Sequence, residues 1–159
     1  MVKNYYKAES YEVRKSLGYL VRRTRNLMTS ELEALFSSTS GKGITFAQWA
    51  VLMCIRDKIA STPAELCQTT YYDSGALTRL LDQLEQRKLL KRHRSTKDRR
   101  IIRLRLTAEG RKTIKAIMGS VVNFYNDLLE NFSEKEADIL VHLLTRLIGN
   151  MTEPRTRKA

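Results

Sequence analysis

The sequence predicts a mainly α fold of the α+β class, a run of helices interrupted by one short β-hairpin. Three observations predict it. Apolar residues recur at three- and four-residue steps before residue 85 and after residue 110. Helix-opening boxes of the form Ser/Thr-x-x-Glu/Gln stand at Thr45, Thr62 and Ser133. Only residues 89–106 hold an alternating pattern, and there the chain is strongly basic. Residues 73–110 thus place an amphipathic helix ahead of a cationic hairpin that hands over to another helix. A helix sized for a major groove, beside a hairpin that reaches the neighbouring minor groove, makes a winged helix-turn-helix.

The elements follow in order. A first helix over residues 10–36 carries Val13, Leu17, Leu20, Val21, Leu27, Met28, Leu32 and Leu35 on one stripe. Its other face is basic, with Arg14, Lys15, Arg22, Arg23 and Arg25. Residues 37–43 read as a loop; its Gly41-Lys42-Gly43 has neither the spacing nor the preceding strand of a phosphate loop. Thr45 opens a helix to about residue 58 with Trp49, Leu52 and Ile55 inward, and Thr62-Pro63 opens a short one to about Thr69. Asp73 or Ser74 caps the third, where Leu77, Leu80, Leu81 and Leu84 form the buried stripe. The hairpin strands are Leu89–Arg94 and Ile101–Leu106, with residues 95–100 as the wing tip. A long helix follows over 108–131, then a last one over 134–151, and the tail Pro154–Ala159 is expected to fray. The chain therefore reads as a single domain, 1–159, with a DNA-binding lobe at 44–107. Helices 10–36 and 108–151 carry more apolar surface than so small a core can cover. A second copy buries that excess most economically, which makes them dimerisation helices of a homodimer.

Charge points the same way. Residues 87–105 hold ten Lys or Arg against Asp98 alone, so this stretch carries +9 of the formal +12. Such concentration is the footprint of a phosphate-facing site, although a solvated surface hairpin is the competing reading. A membrane surface would need an apolar inserting face, which the segment lacks. No apolar run approaches the roughly 18 residues of a membrane span. The opening residues have no signal-peptide core, so a cytoplasmic location is expected. Cys54 and Cys67 are too few for a disulfide framework. They read as small buried hydrophobes, with a redox-sensing pair as the alternative. His93 and His142 lie far apart in sequence, and neither a metal cluster nor a nucleophile–base pair stands out, so no cofactor, metal or enzymatic activity is expected.

The stretches Gly75-Ala76-Leu77-Thr78-Arg79-Leu80-Leu81-Asp82-Gln83-Leu84-Glu85, Asp98-Arg99-Arg100 and Leu106-Thr107-Ala108-Glu109-Gly110 occur in that order. In them the sequence resembles the multiple-antibiotic-resistance regulator (MarR) family of winged-helix transcription factors. The resemblance implies a dimer on a roughly palindromic double-stranded DNA operator, usually a repressor, released by a small anionic aromatic ligand. It carries base or phosphate contacts over to Ser74, Ala76, Thr78 and Arg79. It carries the wing contact to Arg100, which Asp98 would hold by pairing with its side chain, and the basic residues Arg94, Lys97 and Arg99 beside it are read as further DNA contacts. The mixed hydrogen-bonding face of Ser74, Thr78, Arg79 and Gln83 suits base readout better than the alternative, an architectural or nonspecific nucleic-acid-binding protein. Tyr19, Arg22, Arg23 and Trp49 offer ring and cation to an anion-binding cleft. The competing reading makes Trp49 core and the arginines a solvated face. Basic residues on helix 10–36 would also suit a bulky anion such as an aromatic thioester. One departure stands out: where the family often has Gly after the recognition helix, this chain has Arg87-Lys88-Leu89. Either Lys88 adopts a left-handed cap, at roughly 1 kcal/mol, or the helix ends differently.

Overall fold

The computed structural model describes residues 5–38, 43–70, 72–94 and 98–152. The expected tail and the loop residues 39–42 lie outside them. Six α-helices and one antiparallel hairpin follow in the order α1 (Leu17–Ser38), α2 (Phe46–Arg56), α3 (Pro63–Thr70), α4 (Ser74–Gln86), β1 (Leu90–Arg94), β2 (Ile102–Leu106), α5 (Ala108–Leu128) and α6 (Glu134–Thr152). The chain divides into two compact units, residues 1–117 and 118–159.

In the first unit the helix starts obey local chemistry. Thr45 and Gln48 close a reciprocal capping box on α2. Thr62 and Glu65 do so on α3, where the Glu65 carboxylate also accepts from the backbone N–H and hydroxyl of Ser61. Asp73 caps α4 by accepting from the Ala76 N–H at 2.8 Å. The first helix begins later than residue 10. Two single 3-10 turns, Ala8–Ser10 and Val13–Lys15, precede it. The Ser16 hydroxyl then accepts from the Tyr19 N–H, and the Tyr6 hydroxyl accepts from the Leu17 N–H. These two caps satisfy donors that a longer helix would have bonded internally, so apolar spacing alone overran the true start.

Leu52, Leu66, Leu77, Leu81, Leu84 and Leu90 are all at most 1% exposed and form the centre of the lobe. Burying each such side chain contributes on the order of 2 kcal/mol, which outweighs any single surface contact. The hairpin is in register from Leu90 opposite Leu106 to Arg94 opposite Ile102, and the Leu104 N–H donates to the Ser61 carbonyl at 2.8 Å, fastening the wing to the start of α3.

Both α2 and α4 end in the same motif. Beyond α4, Lys88 is left-handed at φ 58°, its N–H donates to the Glu85 carbonyl, and the Leu89 N–H donates to the Leu84 carbonyl. Beyond α2, Lys58 is left-handed at φ 58°, and the Ile59 N–H reaches the Cys54 carbonyl at 2.9 Å. Both are Schellman caps with lysine where glycine is usual. Leu89 then serves the next element too. Its carbonyl accepts from the Thr107 N–H, while the Thr107 hydroxyl donates to the Lys88 carbonyl at 2.6 Å and its oxygen caps α5 through the Gly110 N–H. A Cβ at Gly110 would collide with the Leu89 carbonyl, which is why the Leu-Thr-x-x-Gly spacing matters physically.

The second unit holds the end of α5 and α6, which Ser133 and Glu136 open with a third capping box. Ile139, Leu143, Leu144, Ile148 and Met151 of α6 are all exposed, as are Val122, Tyr125 and Leu128 of α5.

Candidate nucleic-acid interface

The outward face of α4 carries three of the residues expected to read DNA. Ser74, Thr78 and Arg79 are exposed, while Ala76 is half-buried. The Thr78 hydroxyl donates to the Ser74 carbonyl one turn back, so its oxygen remains free to accept. Gln83 is exposed as well, and its side-chain carbonyl accepts from the buried Gln48 amide at 2.8 Å, which ties α4 to α2.

The wing shows how its charges are distributed. Arg94, Arg99 and Arg100 are exposed, and Lys97 lies outside the described residues. The Ile101 N–H donates to the Asp98 carbonyl, making residues 98–101 a turn with Arg99 and Arg100 at its two central positions. Asp98 acts on that turn, and not on the Arg100 guanidinium as expected. Its Oδ1 accepts from the Arg100 backbone N–H at 2.9 Å, an Asx-type bond. The short carboxylate is spent on the backbone of the turn, which leaves the arginine side chain directed by the turn and not by an ion pair.

Register sorts the remaining cations. Lys91 stands opposite Arg105, and His93 opposite Arg103, on one face of the ladder. Lys91 and Arg105 are like charges directly across the ladder and repel, so this pair favours an anionic neighbour. The basic footprint of residues 87–105 includes Lys91 and Arg105 without singling them out, which the alternation along β2 does. Three cations of the basic stretch turn to the protein instead: Arg87 donates to the Gly43 carbonyl, Arg103 to the Ser61 hydroxyl, and Arg92 pairs with Asp82 and Glu85. Among the described residues no carboxylate pairs with Lys91, Arg94, Arg99, Arg100 or Arg105. Arg100 and Arg103 also border a groove of about 520 Å³ whose other wall is the first turn of α3.

The expected ligand residues do not converge within one chain. Tyr19 and Arg23 share a hydrogen bond one turn apart on α1, and Arg22 is exposed beside them. Trp49 is 7% exposed and packs against Phe36 and Phe46, with ring centroids 5.7 and 6.3 Å away. Phe36 lies 17 residues beyond Tyr19 on the same helix, a rise of roughly 25 Å at 1.5 Å per residue. Trp49 is therefore core, as the competing reading had it. Its indole N–H is buried without an acceptor among the described residues. Both cysteines are half-buried; burial, with Asp57 second, raises the Cys54 thiol above its ordinary range and holds it protonated. Among the described residues no helix is long and apolar enough to cross a membrane.

Comparison with known proteins agrees with this geometry. Residues 42–101 match the model of the MarR family. The chain is 30% identical over 116 residues to the HTH-type transcriptional regulator YdgJ of Bacillus subtilis, covering 73% of this chain and 70% of that one. It is 31% identical over 116 residues to the transcriptional regulator SarZ of Staphylococcus aureus, covering 72% and 76%. Among solved structures, a mutant of MarR from E. coli complexed with operator DNA matches at 30% identity and a TM-score of 0.69, covering 82% of this chain and 92% of that one. Wild-type MarR without ligand from E. coli matches at 29% identity and a TM-score of 0.71, covering 83% and 96%.

Proposed function

The chain belongs to the MarR family of DNA-binding transcription regulators, and on that premise we propose that it is a homodimeric repressor of a palindromic operator, released by a small anionic aromatic compound or its thioester. One observation carries the reading: the exposed hydrogen-bonding face of α4 stands in the same lobe as a hairpin whose outward cations lack carboxylate partners. Arg79 supplies the donor fork for a guanine edge or a phosphate, and Ala76 a methyl for thymine. Arg100, held on the Asp98 turn, enters the minor groove, where a narrow A·T-rich stretch has the most negative potential. Lys91, Arg94, Arg99 and Arg105 neutralise phosphates. The E. coli relative complexed with operator DNA supports this use of the surface.

The second copy covers the exposed apolar residues of α1, α5 and α6. A two-fold axis then presents two α4 helices to successive major-groove turns, roughly 34 Å apart. That symmetry is what makes the operator palindromic. Tyr19, Arg22 and Arg23, a ring beside two guanidinium groups on α1, are the docking groups for the anion.

A binding-site selection with the purified protein, followed by a salt series on the duplex it recovers, tests the reading. The slope of log affinity against log salt is expected to be steeper than about −4 for the dimer, at about −0.9 per phosphate contact. Selection of an asymmetric site, or a shallow slope, refutes it. Screening aromatic acids and their thioesters against that complex tests the ligand class. Release by oxidants alone would refute it in favour of the cysteines.

A further inference from the structure

Within the basic stretch, Arg92 is bound to two carboxylates. Its Nη1 lies 2.6 Å from Asp82 Oδ1 and 3.3 Å from Glu85 Oε2, and its backbone N–H donates to Glu85 Oε1 at 3.0 Å. Asp82 and Glu85 are three residues apart on α4 and so share one face of that helix. Arg92 is the middle residue of β1, opposite Leu104. Three polar contacts therefore tie the second half of α4 to the centre of the first wing strand.

We infer that Arg92 is a positioning and specificity-determining residue. By holding Asp82 and Glu85 it fixes the angle between α4 and the hairpin, so that helix and wing enter their two grooves together. It is not a phosphate contact, although its place in the most basic stretch of the chain suggests one. Both carboxylates are met by one guanidinium nitrogen, Nη1, so a single cation holds the two acids together. The Arg92 side chain is only 26% exposed, against 56% for Asp82 and 38% for Glu85, so solvent screens the pair and its contribution to stability is small. Its effect is on orientation. Orientation matters because base readout needs hydrogen-bonding atoms within a few tenths of an ångström, whereas nonspecific phosphate contact tolerates slippage. The clamp also lets the recognition helix carry two acidic residues without presenting their bare charge to DNA.

The sign of one substitution separates this inference from simple charge effects, and the inference rests on α4 and the hairpin facing DNA as proposed above. Asp82→Asn adds one positive charge per protomer. Charge alone predicts tighter binding to every duplex; the clamp predicts weaker binding to the cognate one. The full-length protein and its Asp82→Asn, Arg92→Gln, Arg92→Lys and Arg100→Ala variants would be titrated against two probes over a salt series. The probes are the duplex recovered by selection from a random pool and a random-sequence duplex of equal length. Asp82→Asn and Arg92→Gln are each expected to lower the ratio of selected to random affinity by about tenfold or more. Arg92→Gln should leave the salt slope unchanged, where Arg100→Ala, which withdraws a cation from the groove, makes it shallower. Arg92→Lys should restore part of the ratio. Thermal unfolding is expected to move little in all four, and Asp82→Asn carries the test if Arg92→Gln fails to fold. Tighter binding of the selected duplex by Asp82→Asn would overturn the inference, as would a slope for Arg92→Gln that falls as it does for Arg100→Ala. A parent protein that recovers no duplex overturns the DNA-facing reading itself, and the clamp with it.

Discussion

Replacing Lys88 by glycine should stabilise the protein, against the usual direction of a substitution to glycine. Lys88 sits at φ 58°, where the Cβ of an L-residue crowds the following carbonyl at a cost of roughly 1–2 kcal/mol. Glycine removes that cost but has roughly 0.5–1 kcal/mol more backbone entropy to lose on folding. The net is a gain of about 0.5–1 kcal/mol. The side chain is exposed, so little packing is lost with it. The two cap hydrogen bonds, Lys88 N–H to the Glu85 carbonyl and Leu89 N–H to the Leu84 carbonyl, use backbone atoms that glycine retains. Urea unfolding at fixed protomer concentration is the assay, since a dimer's apparent stability depends on concentration. The midpoint should rise with the denaturant slope unchanged. Lys88→Ala is the control, because it removes the same charge and keeps the strain, and it should leave the midpoint nearly where it was. Equal stabilisation by alanine would show that relief of charge repulsion, and not of backbone strain, was responsible. A lower midpoint for Lys88→Gly would refute the argument outright.

Gly110→Ala should have the opposite sign, because the added methyl meets the Leu89 carbonyl oxygen; a loss of about 3 kcal/mol is expected in urea unfolding, at the upper end for overpacking. Glu65→Gln tests the α3 cap. Bonds from Ser61, first its backbone N–H and then its hydroxyl, with burial opposing them, hold the Glu65 carboxyl below its ordinary range. A depressed carboxylate stabilises above its unfolded value and loses that as pH falls through the folded one. The variant should therefore be less stable near neutral pH, with the difference closing in acid below the usual carboxylate range; a constant difference down to strong acid would exclude the charge. Removing residues 134–159 should abolish the dimer in light scattering at micromolar concentration, because the exposed apolar residues of α6 go with them.

Local chemistry made most of the fold legible. The capping boxes at Thr45, Thr62 and Ser133 locate three helix starts because each is complete within four residues. The apolar stripe overruns the start of α1 because one of its two caps, the Tyr6 hydroxyl on the Leu17 N–H, comes from 11 residues away, and the local one, Ser16, lies within the stripe. The wing was legible as a basic alternating hairpin, and Leu89 was assigned to its first strand because apolar spacing cannot show that its N–H is committed to the α4 cap. The candidate site was read less evenly. Exposure of Ser74, Thr78 and Arg79 follows from helical period alone. The bonds of Gln83 to Gln48 and of Arg92 to Asp82 and Glu85 do not, because those partners lie 35 residues away in sequence and on the facing helix. Likewise, ring and cation counted together suggested one cleft, but Trp49 meets the far end of α1 and not the arginines near its start.

Leu89 makes the base of the wing a joint without play. Its N–H is fixed to the end of α4, its carbonyl to the first turn of α5, and Gly110 lets that carbonyl sit against the α5 backbone. No slack residue separates the two helices, so a turn applied to the first turns of α5 is delivered to α4 as a lever delivers torque. Thirteen residues of α4 make an arm of roughly 20 Å, and a tilt of about 10° swings its far end by about 3 Å. That displacement exceeds the tolerance of a hydrogen bond to a base edge several-fold. In the dimer proposed above, a small rotation of the first turns of α5 is thus enough to move α4 out of register on DNA, with no part of the lobe having to unfold.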